Sequence, residues 1–153
     1  MLIRPLPRAE RGALAPLLAA YAAEMREALA GAAVAAPEDQ AALLAAHPAA
    51  EVMVAERDGA ALGFAVLFDL PEIVFARCCG QLDDLFVLPA ARGQGIARAL
   101  IAECCALGRS RGWSHLRWIV PEGDIAAIAL YERIAARADW RSYVIRLDPA
   151  ASL

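Results

Sequence analysis

The sequence predicts an α/β fold: a single domain over residues 1–153 built around a mixed sheet. Three observations predict it. Runs of β-type and helical periodicity alternate along the chain. An Asp58-Gly59 step sits between two β-type runs. A strand also passes through a glycine-rich turn directly into a helix between Leu85 and Arg98. A chain of 153 residues is long enough to bury one core of this kind.

Leu2–Leu6 is a short β-type opening. Leu14, Leu17, Leu18, Tyr21 and Met25 then recur every three or four residues, which puts them on one helical face. Pro16 falls in the first turns of that helix, where a missing N–H is tolerated, and Gly31 is the expected stop. Pro37-Glu38-Asp39 opens a second short helix through Ala46, closed by Pro48. Glu51–Glu56 and Ala61–Phe68 are β-type runs joined at Asp58-Gly59, a pair that suits a tight hairpin. Residues 69–80 carry Pro71 and polar breaks, and are expected to be a connecting loop with at most some extended structure. Leu82–Leu88 is the next strand, ended by Pro89. Ile96, Leu100, Ile101, Cys104 and Leu107 form the inner face of a helix that stops near Gly112. Leu116–Val120 reads as a strand. Asp124 is a good N-cap for the helix carrying Ala127, Leu130, Tyr131 and Ile134, and Trp140–Leu147 is expected to close the chain as a last strand.

Composition removes several chemistries. All 15 basic residues are arginine. Without lysine there is no Schiff base, no P-loop phosphate ligand and no lysine general base. Without asparagine there is no N-glycosylation acceptor. A net charge of -3 argues against nucleic acid or an anionic membrane as a partner, and no apolar run reaches the ~18 residues of a spanning helix. The four cysteines form two adjacent pairs, Cys78-Cys79 and Cys104-Cys105, which fits reduced thiols in a cytoplasmic protein. CxxC and CxxH spacings are missing, so no metal is expected, and His47 and His115 stand alone in sequence. No GxSxG surrounds a serine, which weakens a nucleophile-elbow hydrolase. Arg4, Arg8 and Arg11 ahead of the alanine-rich 13–23 stretch have the outline of an export signal; Glu10, Pro16 and the helical pattern argue against it.

The chemistry is concentrated between Leu85 and Arg98. Gly93 and Gly95 let backbone N–H groups point into one concavity, and a helix N-terminus adds unpaired donors and about half a positive charge. Arg92 and Arg98 add formal charge. Such a turn suits a pyrophosphate. The dinucleotide fingerprint fails because Arg98 stands where its third glycine belongs, and a P-loop fails for lack of lysine. A strand–helix turn with incidental glycines remains the plain alternative.

Arg92-x-x-Gly95-x-Ala97 resembles the Q/R-x-x-G-x-G/A signature of the GNAT superfamily of acyl-CoA-dependent N-acyltransferases. Leu82-Asp83-Asp84-Leu85-Phe86-Val87 looks like that family's fourth strand. Asp124-x-x-Ala127-Ile128-x-Leu130-Tyr131-Glu132 resembles its N-x-x-A-x-x-x-Y-E helix, and Trp140–Leu147, with Tyr143, looks like its closing strand. Within the superfamily the 82–87 strand is most similar to the diamine and polyamine acetyltransferase-like branch. Two positions depart from the pattern: Asp124 replaces asparagine, and Ala135-Ala136 replaces Gly-Phe.

The resemblance implies a mixed, largely antiparallel central sheet flanked by helices, with a splayed V between strands 4 and 5 that admits acetyl-CoA. Main-chain groups of Leu85, Phe86 and Val87 would bond pantetheine as an added strand does. The amides from Gly93 through Gln94, Gly95, Ile96 and Ala97 to Arg98 would hold the pyrophosphate. Asp124 and Ala127 would complete the cofactor side. An N–H near Phe86 could stabilise the oxyanion, and the amine would attack directly. Tyr131 is the implied general acid: a phenol near ~10 can assist a thiolate leaving at ~8.5. Asp83 is the preferred acceptor-side carboxylate. Asp84 points to the other face of a regular strand, and a bulge would exchange them. Tyr21, Glu24, Phe68 and Trp118 are candidates for the acceptor pocket. The expected partner is a small cationic amine, with a homodimer possible. The alternatives are a non-catalytic acyl-CoA-binding module on the same fold and a nucleotide-phosphate binder.

Overall fold

Five segments of the described chain are strands: β1 (Leu2–Pro5), β2 (Glu51–Arg57), β3 (Ala60–Glu72), β4 (Arg77–Val87) and β5 (Leu116–Arg117). The structure, a computed structural model, describes residues 1–29, 34–145 and 147. The strands form one sheet in the order β1-β2-β3-β4-β5. The first three pairings are antiparallel and the last, β4 with β5, is parallel. The helices are α1 (Ala15–Ala28), α2 (Pro37–Ala46), α3 (Ile96–Arg111) and α4 (Ile125–Ile134). The chain divides into two units, Met1–Trp118 and Ile119–Leu153.

Within the first unit, α1 follows a 3-10 helix at Arg8–Leu14, and its Pro16 lies in the first turn as predicted. Gly31, the expected stop, lies outside the described residues. Leu14, Leu17 and Leu18 bury against Val52, Val54, Phe64, Val66 and Phe86 of the sheet. Each such side chain contributes about 1.5–3 kcal/mol relative to exposure. Met53, Ala55, Ala65 and Leu67 are also buried and alternate with that set, so they face the other way. There α3 packs, burying Ile96, Leu100, Ile101 and Cys104 and ending on Gly112 at φ 70. The β2–β3 turn is Asp58-Gly59 with φ of 52 and 78, the positive pair that a tight hairpin needs.

The loop predicted over residues 69–80 is not there. β3 continues to Glu72, the chain reverses over a 3-10 turn at Ile73–Phe75, and β4 starts at Arg77. Pro71 does not break this hairpin because β2 ends opposite Leu67. Beyond that point no strand among the described residues pairs with that edge of β3, and a missing N–H there costs no ladder bond.

Two further strand expectations are corrected. Of residues 116–120, the β5 ladder takes in Leu116 and Arg117 alone. Trp140–Ile145 and Leu147 are in no strand, and Trp140, Tyr143, Val144, Ile145 and Leu147 are 67–90% exposed. Alternation can show which residues would share a face, but it supplies no neighbouring strand. In this second unit α4 forms as predicted, with Asp124 Oδ1 accepting the Ala127 N–H at 3.0 Å.

Candidate active site

β4 has β3 beside it along its whole length, but its other edge changes partway. The parallel ladder with β5 consists of Gly80↔Leu116 and Gln81↔Arg117. From Leu82 to Val87 no strand pairs with that edge among the described residues. Apart from the Val87 carbonyl, which accepts from Arg92 Nε, backbone groups of Leu85, Phe86 and Val87 that do not bond β3 have no strand partner there, the kind of edge an extended ligand can pair with.

A bulge sits where the edge opens. Val66 pairs with Asp84 and Leu67 with Leu82, leaving Asp83 as the extra residue. The bulge turns Asp84 toward α1, where the Tyr21 hydroxyl donates to Asp84 Oδ1 at 2.6 Å. The Tyr21 ring lies 5.7 Å from Phe64 and 5.4 Å from Phe86. Asp83 is exposed. Burial raises the Asp84 pKa above the usual carboxylate value, the Tyr21 hydrogen bond opposes the rise, and the Asp83 charge adds to it. Tyr21 is itself shifted well upward by burial and by Asp84. Glu24, one turn along α1, also adds negative charge near Tyr21.

Arg92 is engaged by protein groups rather than left open as a phosphate ligand. Its Nη2 lies 2.5 Å from Glu24 Oε2, its Nε donates to the Val87 carbonyl at 2.9 Å, and its guanidinium sits 5.7 Å from the Phe86 ring centre. It ties α1 to the end of β4. Beyond it, Gly93 and Gly95 have φ of 74 and 80. A Cβ at either would meet nothing within 4 Å, so glycine is needed there for its backbone conformation and not for room. Gly95 caps α3 without a side-chain bond, and the first helical bond runs from Ala99 N–H to the Gly95 carbonyl at 3.0 Å. The amides of Ile96, Ala97 and Arg98 thus have no acceptor within the helix. Buried Ile96 pins the turn, Ala97 is half-buried, and Arg98 is exposed.

One cation at this loop is missed by sequence reasoning. Arg57, at the end of β2, donates from Nη1 to Gln94 Oε1 at 2.8 Å. Thirty-seven positions separate the two residues, so no local pattern marks the pair.

In the second unit Tyr131 is half-buried, two turns beyond Asp124 on α4. Burial, and then the Asp124 charge, raise its phenol above the ordinary value, so it stays protonated through the neutral range. Of the remaining acceptor-pocket candidates, Phe68 is half-buried with its ring centre 5.8 Å from His47, and Trp118 is half-buried. The structure therefore brings Tyr21, Glu24, Asp84 and Arg92 together and sets Phe68 against His47.

The model of the acetyltransferase (GNAT) family matches residues 15–136. The chain belongs to this family. The GNAT match runs from α1 through α4 and so crosses from the first unit into the second. A solved ribosomal-protein-alanine N-acetyltransferase from Brucella melitensis biovar Abortus 2308 is 37% identical, with a TM-score of 0.82; the alignment covers 96% of this chain and 100% of that one. A glucosamine 6-phosphate N-acetyltransferase of Trypanosoma brucei brucei is 32% identical over 72 residues, covering 47% of this chain and 46% of the relative. A thialysine N-epsilon-acetyltransferase of Caenorhabditis elegans is 32% identical over 76 residues, 46% of each. The chain spans about half the length of these last two GNAT relatives in the matched region.

Proposed function

We propose that this chain moves an acetyl group from acetyl-CoA to the amine of a small cationic substrate by direct attack in a ternary complex, with residues 1–153 acting as one domain. One observation carries the reading. β4 loses its outer neighbour at Leu82 and runs into a glycine-opened, uncapped α3 N-terminus. An extended amide-bearing arm would suit the first feature and a pyrophosphate the second. The open space at Gly93 and Gly95 and the free amides of Ile96–Arg98 fit such a ligand. Arg57 and Arg98 supply charge at its phosphates, and Arg92 holds the end of β4 in place.

On the acceptor side, Asp83, Asp84 and Glu24 would attract an ammonium group. Asp84 would take its proton through water, and its raised pKa makes it a better base than an ordinary aspartate. A β4 N–H near Phe86 would hold charge developing on the thioester oxygen. Tyr131 would protonate the leaving sulfur. The thioester is already activated, so the step needs no enzyme nucleophile and no metal.

The same reading makes the protein a cytoplasmic homodimer with no nucleic-acid partner. The net charge of -3 argues against a nucleic-acid partner, the free thiols of Cys78, Cys79, Cys104 and Cys105 support the cytoplasm, and the 60% hydrophobic composition supports the homodimer; among the described residues no helix is long and apolar enough to cross a membrane. Thiol release with an amine panel, alongside thermal shift with acetyl-CoA, tests the proposal. Turnover with cationic amines is expected. A thermal shift without thiol release from any amine would make the chain a binding module, and tighter binding of ATP or NAD would remove the coenzyme assignment.

A further inference from the structure

Away from the acyl-transfer site, two residues of the β3–β4 hairpin and one from a distant segment converge on the outer half of β4. Glu72 ends β3, Cys79 lies in β4, and His115 immediately precedes β5. One ligand atom from each lies within 4.8 Å of the other two. Cys79 is fully buried, while Glu72 and His115 are half-buried. We propose that Glu72, Cys79 and His115 bind a zinc ion that staples the β3–β4 hairpin to the start of β5.

The donor set selects the metal. One thiolate, one imidazole and one carboxylate match zinc, whereas magnesium and calcium avoid sulfur. A tetrahedral ion with bonds of about 2.0–2.3 Å needs its ligands about 3.3–3.6 Å apart, so the side chains need to close by at most about 1.5 Å. Partly exposed Glu72 and His115 have room to do so. Three protein ligands leave the fourth position to water. Cys79 releases its thiol proton to solvent on binding, and the carboxylate and thiolate together neutralise the ion.

The supporting contacts are already in place. His115 Nδ1 lies 3.0 Å from Ser114 Oγ, which leaves Nε2 for the metal. Glu72 Oε2 is held at 3.2 Å by Arg117 Nη1, and Arg117 Nε in turn donates to Gln81 Oε1 at 3.1 Å. Partners of this kind fix the orientation of first ligands. The site also has a mechanical consequence. The Gly80 N–H donates to the His115 carbonyl at 2.9 Å, beside the two-pair β4–β5 ladder. Zinc would pin the strands where they begin to part.

The test uses the whole chain, stripped with chelator and reloaded with zinc or cobalt(II). One ion per chain is expected after gel filtration, with a thiolate-to-cobalt charge-transfer band and visible bands of tetrahedral strength. Zinc should raise the melting midpoint and slow hydrogen exchange of the Gly80 amide. His115→Gln and Glu72→Gln, both at partly exposed positions, should each weaken binding by about tenfold or more. Cys79→Ser should abolish the charge-transfer band, while Cys104→Ser should leave it unchanged. Substoichiometric metal after loading, a cobalt spectrum without sulfur charge transfer, or full affinity in His115→Gln would overturn the proposal. These readouts do not involve acetyl-CoA and stand apart from the transferase reading.

Discussion

The two halves of β4 have different surroundings. At Gly80 and Gln81 the strand gains a second neighbour in β5, and Gly80 is packed so tightly that a Cβ there would meet the Trp113 ring, with Leu116 Cδ1 at 2.8 Å. From Leu82 to Val87 it is paired on one side, carries a bulge, and leads into a turn where Cβ atoms at Gly93 and Gly95 would touch nothing. The same strand thus is held by two neighbours at one end and presents an edge that no second strand among the described residues pairs at the other. A sheet that is to receive an extended ligand must be held together close to where it is left open.

This contrast can be broken or sharpened by substitution. The largest effect is expected outside the strand, at the proposed acid: Tyr131→Phe should lower kcat by about 10²–10⁴-fold while costing no more than about 1.5 kcal/mol of stability. Unaltered kcat would remove that role. In the open half, Asp84→Asn should cut kcat/KM for a cationic amine by about 100-fold, the low end of what a general base contributes. In the closed half, Gly80→Ala should instead cost about 1–3 kcal/mol of stability by overpacking against Trp113, measured by urea unfolding. Were Gly80→Ala to lose turnover at unchanged stability, the division between the halves would fail. Gly95→Val forces a branched residue to φ 80 at a cost of about 1–2 kcal/mol. Calorimetry should find acetyl-CoA binding weakened by about tenfold.

The smallest expected effect is a pH dependence at Asp84. Its carboxyl is raised from an ordinary 3.8, so its contribution to stability is complete below that value and is lost as pH rises through the higher folded value. Asparagine does not titrate. Asp84→Asn should therefore melt at or above wild type at pH 7, with its advantage shrinking as pH falls through the raised folded value and gone below 3.8. An advantage that grew on acidification would show the sign to be wrong.

Much of the site is legible locally. The Gly93 and Gly95 turn, the Asp124 cap and the amphipathic faces of α1 and α3 rest on spacings of a few residues, and those spacings hold in the structure. Residues 69–80 are misread because Pro71 marks a break only if both strand edges are needed, and β2 stops before reaching it. Trp140–Ile145 and Leu147 are misread as strand because alternation names a face without naming a neighbour.

By itself, then, the sequence determined the element types, the glycine turn and the pairing of two acidic residues at 83–84, since backbone preferences and side-chain periodicity act within a few residues. The tertiary structure alone decided which carboxylate turns inward, which arginine reaches the loop and where β5 leaves β4. It also decided that Glu72, Cys79 and His115 meet. Each of these depends on strand register and on partners tens of residues away, where the position of one bulge reverses the direction of a side chain.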